Sequence, residues 1–110
     1  MVKTLYFSIG NDPSDDAGDA VMLNAANFIA MGPIDTGNGN KTMMYFHDKD
    51  NTGAAETTVT LTHDEGRSKD VMEDVCKAMS GEPKDGFIVI ADEANGDFCS
   101  PYITECDFSL

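Results

Sequence analysis

The chain has 110 residues, and its 20 acidic against 7 basic side chains give a formal net charge of −13. This field repels phosphate backbones, so any nucleic-acid partner would have to be held by a few local cations. No apolar run approaches the ~20 residues that span a bilayer, and the start Met1 to Gly10 is too short and too strand-like for a secretory signal, which excludes a membrane span and predicts a soluble, unsecreted chain.

A chain of this length buries roughly two-thirds of its unfolded surface, enough for one core without covalent staples, so residues 1–110 are expected to form one domain. Cys76, Cys99 and Cys106 are odd in number and lack paired metal-ligand spacing. They fit a reducing compartment and the role of small apolar fillers better than a disulfide framework.

Val2 to Ile9 predicts a first strand, ended by the breaker cluster Gly10 to Asp16. Ala17 to Ile34 is compatible with a short helix through Val21, Ala25 and Phe28, or with two short strands separated by a tight excursion from Asn24 to Asn27. The β character of the surroundings favours the strands, and Gly32-Pro33 ends the segment. Thr36-Gly37-Asn38-Gly39-Asn40 predicts a hairpin turn into a strand over Thr42 to His47. A polar loop over Asp48 to Glu56 then returns the chain as a second hairpin.

Thr57 to His63 alternates, which places Val59 and Leu61 on one face and three threonines on the other. From Arg67 the period changes. Val71, Val75 and Met79 recur every fourth residue with Met72 and Cys76 beside them, predicting a helix on a core with Lys69, Asp70, Glu73, Asp74 and Lys77 outward. Ser68 or Asp64 is the expected cap, and Ser80-Gly81 with Pro83 the stop. Phe87 to Ala91 has no alternation, the pattern of a strand covered on both faces. Ala94 to Asp97 predicts a further hairpin turn, and Pro101 to Leu110 a closing strand with Tyr102, Thr104, Cys106 and Phe108 on one face.

These elements predict a mainly β chain with one helix, an α+β arrangement. Six or seven short strands would form a small, strongly bent antiparallel sheet or partly open barrel, with the helix over one opening. Incomplete closure leaves two strand edges, which invite pairing between subunits around a ring, so a homo-oligomer is expected.

Asp48-Lys49-Asp50-Asn51-Thr52-Gly53 resembles the opening of a calcium loop, but Val59 stands where a bidentate glutamate is needed. The pairs His47-Asp48 and His63-Asp64 sit at strand ends about 20 Å apart at ~3.3 Å per residue, too far to share a ligand within one subunit. No serine or cysteine stands in a nucleophile pattern. Gly37-Asn38-Gly39 lacks the helix and basic residue of a phosphate cradle. Met22, Met31, Met43 and Met44 suit adaptable packing rather than a copper site. A non-enzymatic chain without cofactor or metal is therefore expected. For single-stranded RNA or DNA, Tyr45, Phe46 and Tyr102 are the candidate stacking aromatics, and Lys41, Lys49 and Arg67 the candidate backbone contacts.

Four segments, Thr57 to Thr62, Val71 to Met79, Gly86 to Asp92 and Ile103 to Asp107, cover about half the chain. They resemble short phage proteins of marine cyanophage type found in ocean metagenomes, a group similar to the Sm-like fold. That resemblance implies a short bent barrel whose subunits pair edge to edge into a ring of about five to seven, with RNA or DNA bound at the pore and a role in nucleic-acid processing. It also implies a place in the cytoplasm of the infected bacterial host or in the virion. A virion structural or decoration protein acting through subunit assembly is the alternative. The Arg-Gly pair that serves nucleotide binding in many Sm proteins has no counterpart, since Ala91 and Asp92 follow Ile90. The helix also follows several strands instead of opening the domain.

Overall fold

The threonine-rich alternation becomes strand β5 (Thr57–His63), in which Thr57, Val59, Leu61 and His63 are buried while Thr58, Thr60 and Thr62 line the outer face. In the computed structural model the described residues are 3–9, 20–34, 39–47, 57–81 and 85–109. They hold seven further strands: β1 (Thr4–Ser8), β2 (Ala20–Asn24), β3 (Phe28–Pro33), β4 (Lys41–Phe46), β6 (Phe87–Asp92), β7 (Asp97–Phe98) and β8 (Ile103–Ser109). Helix α1 (Ser68–Ser80) joins β5 to β6.

The strands form two four-stranded sheets, ordered β2-β1-β6-β7 and β3-β4-β5-β8. The chain is thus mainly β with one helix, an open α+β arrangement whose sheets do not close into a barrel. The predicted excursion from Asn24 to Asn27 is the corner between the sheets. Asn24 accepts the Ala26 N–H on its side chain at 2.9 Å, and one 3-10 turn over Ala25–Asn27 carries the chain from β2 in the first sheet to β3 in the second. Short polar side chains that bond the backbone two residues on favour such a turn over a continued ladder.

One pairing departs from the antiparallel expectation: β1 lies parallel to β6, with Leu5 opposite Ile88. The connection between them runs through both hairpins and the helix, so no local pattern announces it. The remaining pairings are antiparallel, including the expected β3–β4 and β4–β5 hairpins. The turn after β6 also forms as expected, with Gly96 at φ 67°, a left-handed conformation that glycine adopts without steric cost. The turn residues 35–38, the loop 48–56 with its calcium-like segment, Val2, Pro83 and Leu110 lie outside the described residues.

Both inner faces and the helix share one apolar cluster. Leu5, Phe7 and Ile90 from the first sheet meet Met44, Phe46, Val59 and Leu61 from the second, with Val71 and Val75 from α1. The rings of Phe7 and Phe46 pack edge to face across the sheets at 6.2 Å, and Phe28 packs on Phe46 at 5.6 Å. Truncating a buried aromatic of this kind costs about 3–5 kcal/mol.

Four sequence expectations are corrected here. The helix cap residue is Arg67, without a side-chain cap bond, while Asp64 contributes through its backbone carbonyl, which accepts the Arg67 N–H at 3.2 Å. Ser68 is already helical. Cys76 is exposed rather than on the apolar face, because at 3.6 residues per turn it stands about 100° from Val75 and outside the stripe of Val71, Val75, Ala78 and Met79. Strand β6 is covered on one face only: Ile88 and Ile90 are buried, but Phe87 is 39% exposed. In β8 the register shifts opposite Thr62 and His63, so Ile103 and Cys106 both point inward although their spacing is odd. A bulge of this kind breaks the period of two.

Candidate functional site

Strand β4 presents Lys41, Met43 and Tyr45 on its outer face, each half-buried, while Thr42, Met44 and Phe46 enter the core. Across the second sheet these residues face Thr62, Thr60 and Thr58 of β5, and beyond them Glu105, Asp107 and Ser109 of β8. Lys41 and Tyr45 are therefore brought to one face, about 13 Å apart along the strand. Glu105 and Asp107 are exposed on that face and oppose a polyanion there.

The other candidates are placed differently. Arg67 sits at the β5–α1 corner with its guanidinium 3.2 Å from the Asp70 carboxylate and 4.9 Å from the centre of the Tyr102 ring. The hydrogen bond that Arg67 donates to the Asp70 carboxylate, and then the fields of Tyr102 and Asp70, raise the Arg67 pKa above its ordinary value. Both Arg67 and Tyr102 are thus engaged with each other, in a geometry typical of a cation–π contact. Phe46 is fully buried and is removed from the stacking candidates. Lys49 lies outside the described residues.

Histidine is resolved as structure. His63 is buried, with Nδ1 2.8 Å from the Asp64 carbonyl and Nε2 2.8 Å from the Thr42 hydroxyl. A carbonyl only accepts, so Nδ1 carries a proton and donates it to Asp64, while Nε2 shares a hydrogen bond with the Thr42 hydroxyl. Ser68 Oγ stands 3.4 Å from the same nitrogen. The partner of His63 is therefore the backbone of Asp64 rather than its carboxylate. His47 is exposed at the opposite end of the hairpin, since β4 and β5 run antiparallel with Phe46 opposite Thr57. Among the described residues no group of three or more His, Cys, Asp or Glu side chains converges as a metal site.

The thiols of Cys99 and Cys106 are pushed up to about 12, chiefly by burial and then by nearby carboxylates. Between β1 and the end of β6, buried Ser8 donates to an Asp92 carboxylate oxygen at 2.6 Å, and Asn95 donates to the other at 2.8 Å. Burial pushes the Asp92 carboxyl up, but these bonds together outweigh it and leave it below the ordinary range.

A second surface went unnoticed in the sequence. Opposite the core, the first sheet presents Met22, Tyr6 and Val89 in one row across three strands and Asn24, Thr4 and Phe87 in the next. Met22 is 54% exposed, and the Tyr6 and Phe87 rings pack at 5.5 Å. Tyr6, Ala20, Val21 and Met22 line an open hollow of about 270 Å³. The unbroken apolar run of β6 carried the signal, because a strand apolar on both sides leaves one apolar face outward when no layer covers it. No family model, no curated protein and no solved structure matches this chain.

Proposed function

We propose that this protein acts by assembling with copies of itself, as a non-enzymatic module of the Sm-like, marine-phage kind. That assembly is common to the ring and to the virion-component readings of the sequence, in the host cytoplasm or in the particle. The observation that carries it is the apolar outer face of the first sheet, where Met22 and Phe87 stand exposed on a chain of net charge −13. Apolar surface on an otherwise strongly charged chain is a mark of an interaction face. A non-enzymatic role is supported by the engagement of both His63 nitrogens and by thiols held protonated at Cys99 and Cys106. Sedimentation over a concentration range reaching about 1 mM tests the reading. A mass above the 11.8 kDa of one chain is expected, and a monomer throughout would overturn it.

The second reading is binding of single-stranded RNA or DNA on the outer face of the second sheet, favoured by the placement of Lys41 and Tyr45 together there. Fluorescence anisotropy of short labelled strands at low and near-physiological salt tests it. Saturable binding that weakens with salt is expected, and Lys41→Ala and Tyr45→Ala should each weaken it. No binding at low salt retires the reading for the isolated protein.

A further inference from the structure

We propose that Asn95, in the turn between β6 and β7, is a site of spontaneous deamidation that the Asp92 carboxylate holds in check, and that the product unfastens the turn. The inference is independent of the self-assembly reading.

The first observation is chemical. Asn95 is followed by Gly96, and both are exposed. Among the described residues no other asparagine precedes a glycine, since Asn24 is followed by Ala25, Asn27 by Phe28 and Asn40 by Lys41. Loss of the side-chain amide needs the next backbone nitrogen to reach Cγ, and a glycine leaves that approach unhindered. A Cβ at Gly96 would meet nothing within 4 Å, so the turn also has room to rearrange.

The atoms balance with water alone. The Gly96 nitrogen gives its proton to a solvent base and bonds to Asn95 Cγ, closing a cyclic imide, while the Cγ–Nδ2 bond breaks and ammonia leaves. Water then opens the imide at either carbonyl. One opening gives aspartate, and the other gives isoaspartate, whose main chain runs through Cβ and Cγ. No oxidant or reductant is involved.

The second observation is that the fold occupies both reacting groups. Asn95 Nδ2 donates to the Asp92 carboxylate at 2.8 Å, and the Gly96 N–H donates to the Glu93 carbonyl at 3.2 Å. Asp92 is itself fixed from β1, where Ser8 Oγ donates to its other oxygen at 2.6 Å. A hydrogen bond to a charged acceptor is stronger than a neutral one, so the reaction proceeds through a locally opened turn. Asp85-Gly86, which could form the same imide, is held more firmly: Gly86 is buried and its carbonyl accepts the Thr4 N–H at 2.8 Å.

The third observation concerns the product. The turn already carries Asp92, Glu93 and exposed Asp97 on a chain of net charge −13. A carboxylate at position 95 confronts Asp92 where a donor stood. Strand β7 pairs with β6 through Ala91–Phe98 and Asp92–Asp97, so little ladder resists the change. Glu93, which reaches the Cys106 N–H of β8 at 3.0 Å, leaves from the same turn.

Incubation of the folded protein at mildly alkaline pH, beside the chain unfolded in urea, tests the inference. Ion exchange separates the more acidic product, and peptide mapping distinguishes position 95 from Asn38-Gly39, the other such pair in the sequence. Conversion at Asn95 is expected in the folded protein, more slowly than in urea, with aspartate and isoaspartate both formed. Asp92→Ala should speed it by at least about tenfold, the effect of losing a hydrogen bond to a charged group. Asp92→Asn keeps the size and an acceptor oxygen and should speed it less, which provides a second variant if alanine disturbs the fold by circular dichroism. Asn95→Asp should unfold at lower urea than the wild type. An amide that persists at position 95 of the folded protein while the unfolded chain converts, or folded Asp92 variants that convert no faster than the wild type, overturns the proposal. An Asn95→Asp chain as stable as the wild type overturns the unfastening of the turn.

Discussion

The carboxylate of Glu93, in the turn after β6, accepts the backbone N–H of Cys106 in β8 at 3.0 Å. The two residues belong to elements of different sheets, so a side chain joins them where no ladder closes the gap. Glu93→Ala is expected to destabilise the fold by about 1.5–3 kcal/mol, the range for a lost hydrogen bond to a charged group. Glu93→Gln keeps an acceptor oxygen and should recover much of that. Urea denaturation of the two variants checks the difference, and freeing the Cys106 N–H should also raise the tendency to aggregate.

The three cysteines divide by environment. Cys76 is exposed on α1, whereas burial holds the Cys99 and Cys106 thiols protonated up to about 12. Because the thiolate is the reactive form, a thiol reagent at pH 8 should titrate one cysteine quickly and the other two only at the rate of opening. The sign of the linkage also follows. A folded pKa above the unfolded value of about 8.5 means that the unfolded chain loses these protons first. Stability is full below that value and falls as pH rises toward 12. Denaturation midpoints between neutral and alkaline pH check this, and Cys99→Ala should flatten the decline.

Asp92 shifts the other way. Its carboxyl lies below the ordinary range, with Ser8 and Asn95 bonded to it. Its contribution is present above the unfolded value of about 3.9 and is lost as pH falls through the lower folded value, where the folded carboxylate takes up its proton. Ser8→Ala should cost about 1 kcal/mol at neutral pH and reduce the acid dependence of stability, read from unfolding between neutral pH and the acid limb.

Thr42 and His63 tie β4 to the end of β5 through a bond at 2.8 Å with both residues buried. Thr42→Val keeps the shape but leaves Nε2 without its nearest hydrogen-bond partner, and an unsatisfied buried polar group costs about 1–3 kcal/mol. Thr42→Ser keeps the hydroxyl and should lose less. Thermal unfolding of the pair separates the hydrogen bond from the packing.

Much of the fold is legible locally. The Asn24 to Asn27 excursion, the β5 alternation and the Val71/Val75 stripe each depend on residues a few positions apart. The parallel β1–β6 pair is not, because Leu5 and Ile88 meet only after the intervening chain has folded. The β8 bulge escapes a reading that assumes strict period two. Of the nucleic-acid candidates, the sequence places Lys41 and Tyr45 on one face by strand alternation alone. It could not show that Arg67 lies over the Tyr102 ring, which comes from where β8 begins relative to α1, whereas the Asp70 contact is a local pair three residues on.

The parallel pair also sets an order of events. Thr4 stands opposite Phe87, and Ser8 bonds to Asp92 across 84 positions of sequence. During synthesis the first strand must therefore wait, paired on one side only with β2, until most of the chain has left the ribosome. Contacts of such separation are reached late and slowly, because loop closure precedes any gain from the contact. The β4–β5 hairpin and then α1 precede β6 in the chain, and are the natural nucleus on which the N-terminal strand finally docks.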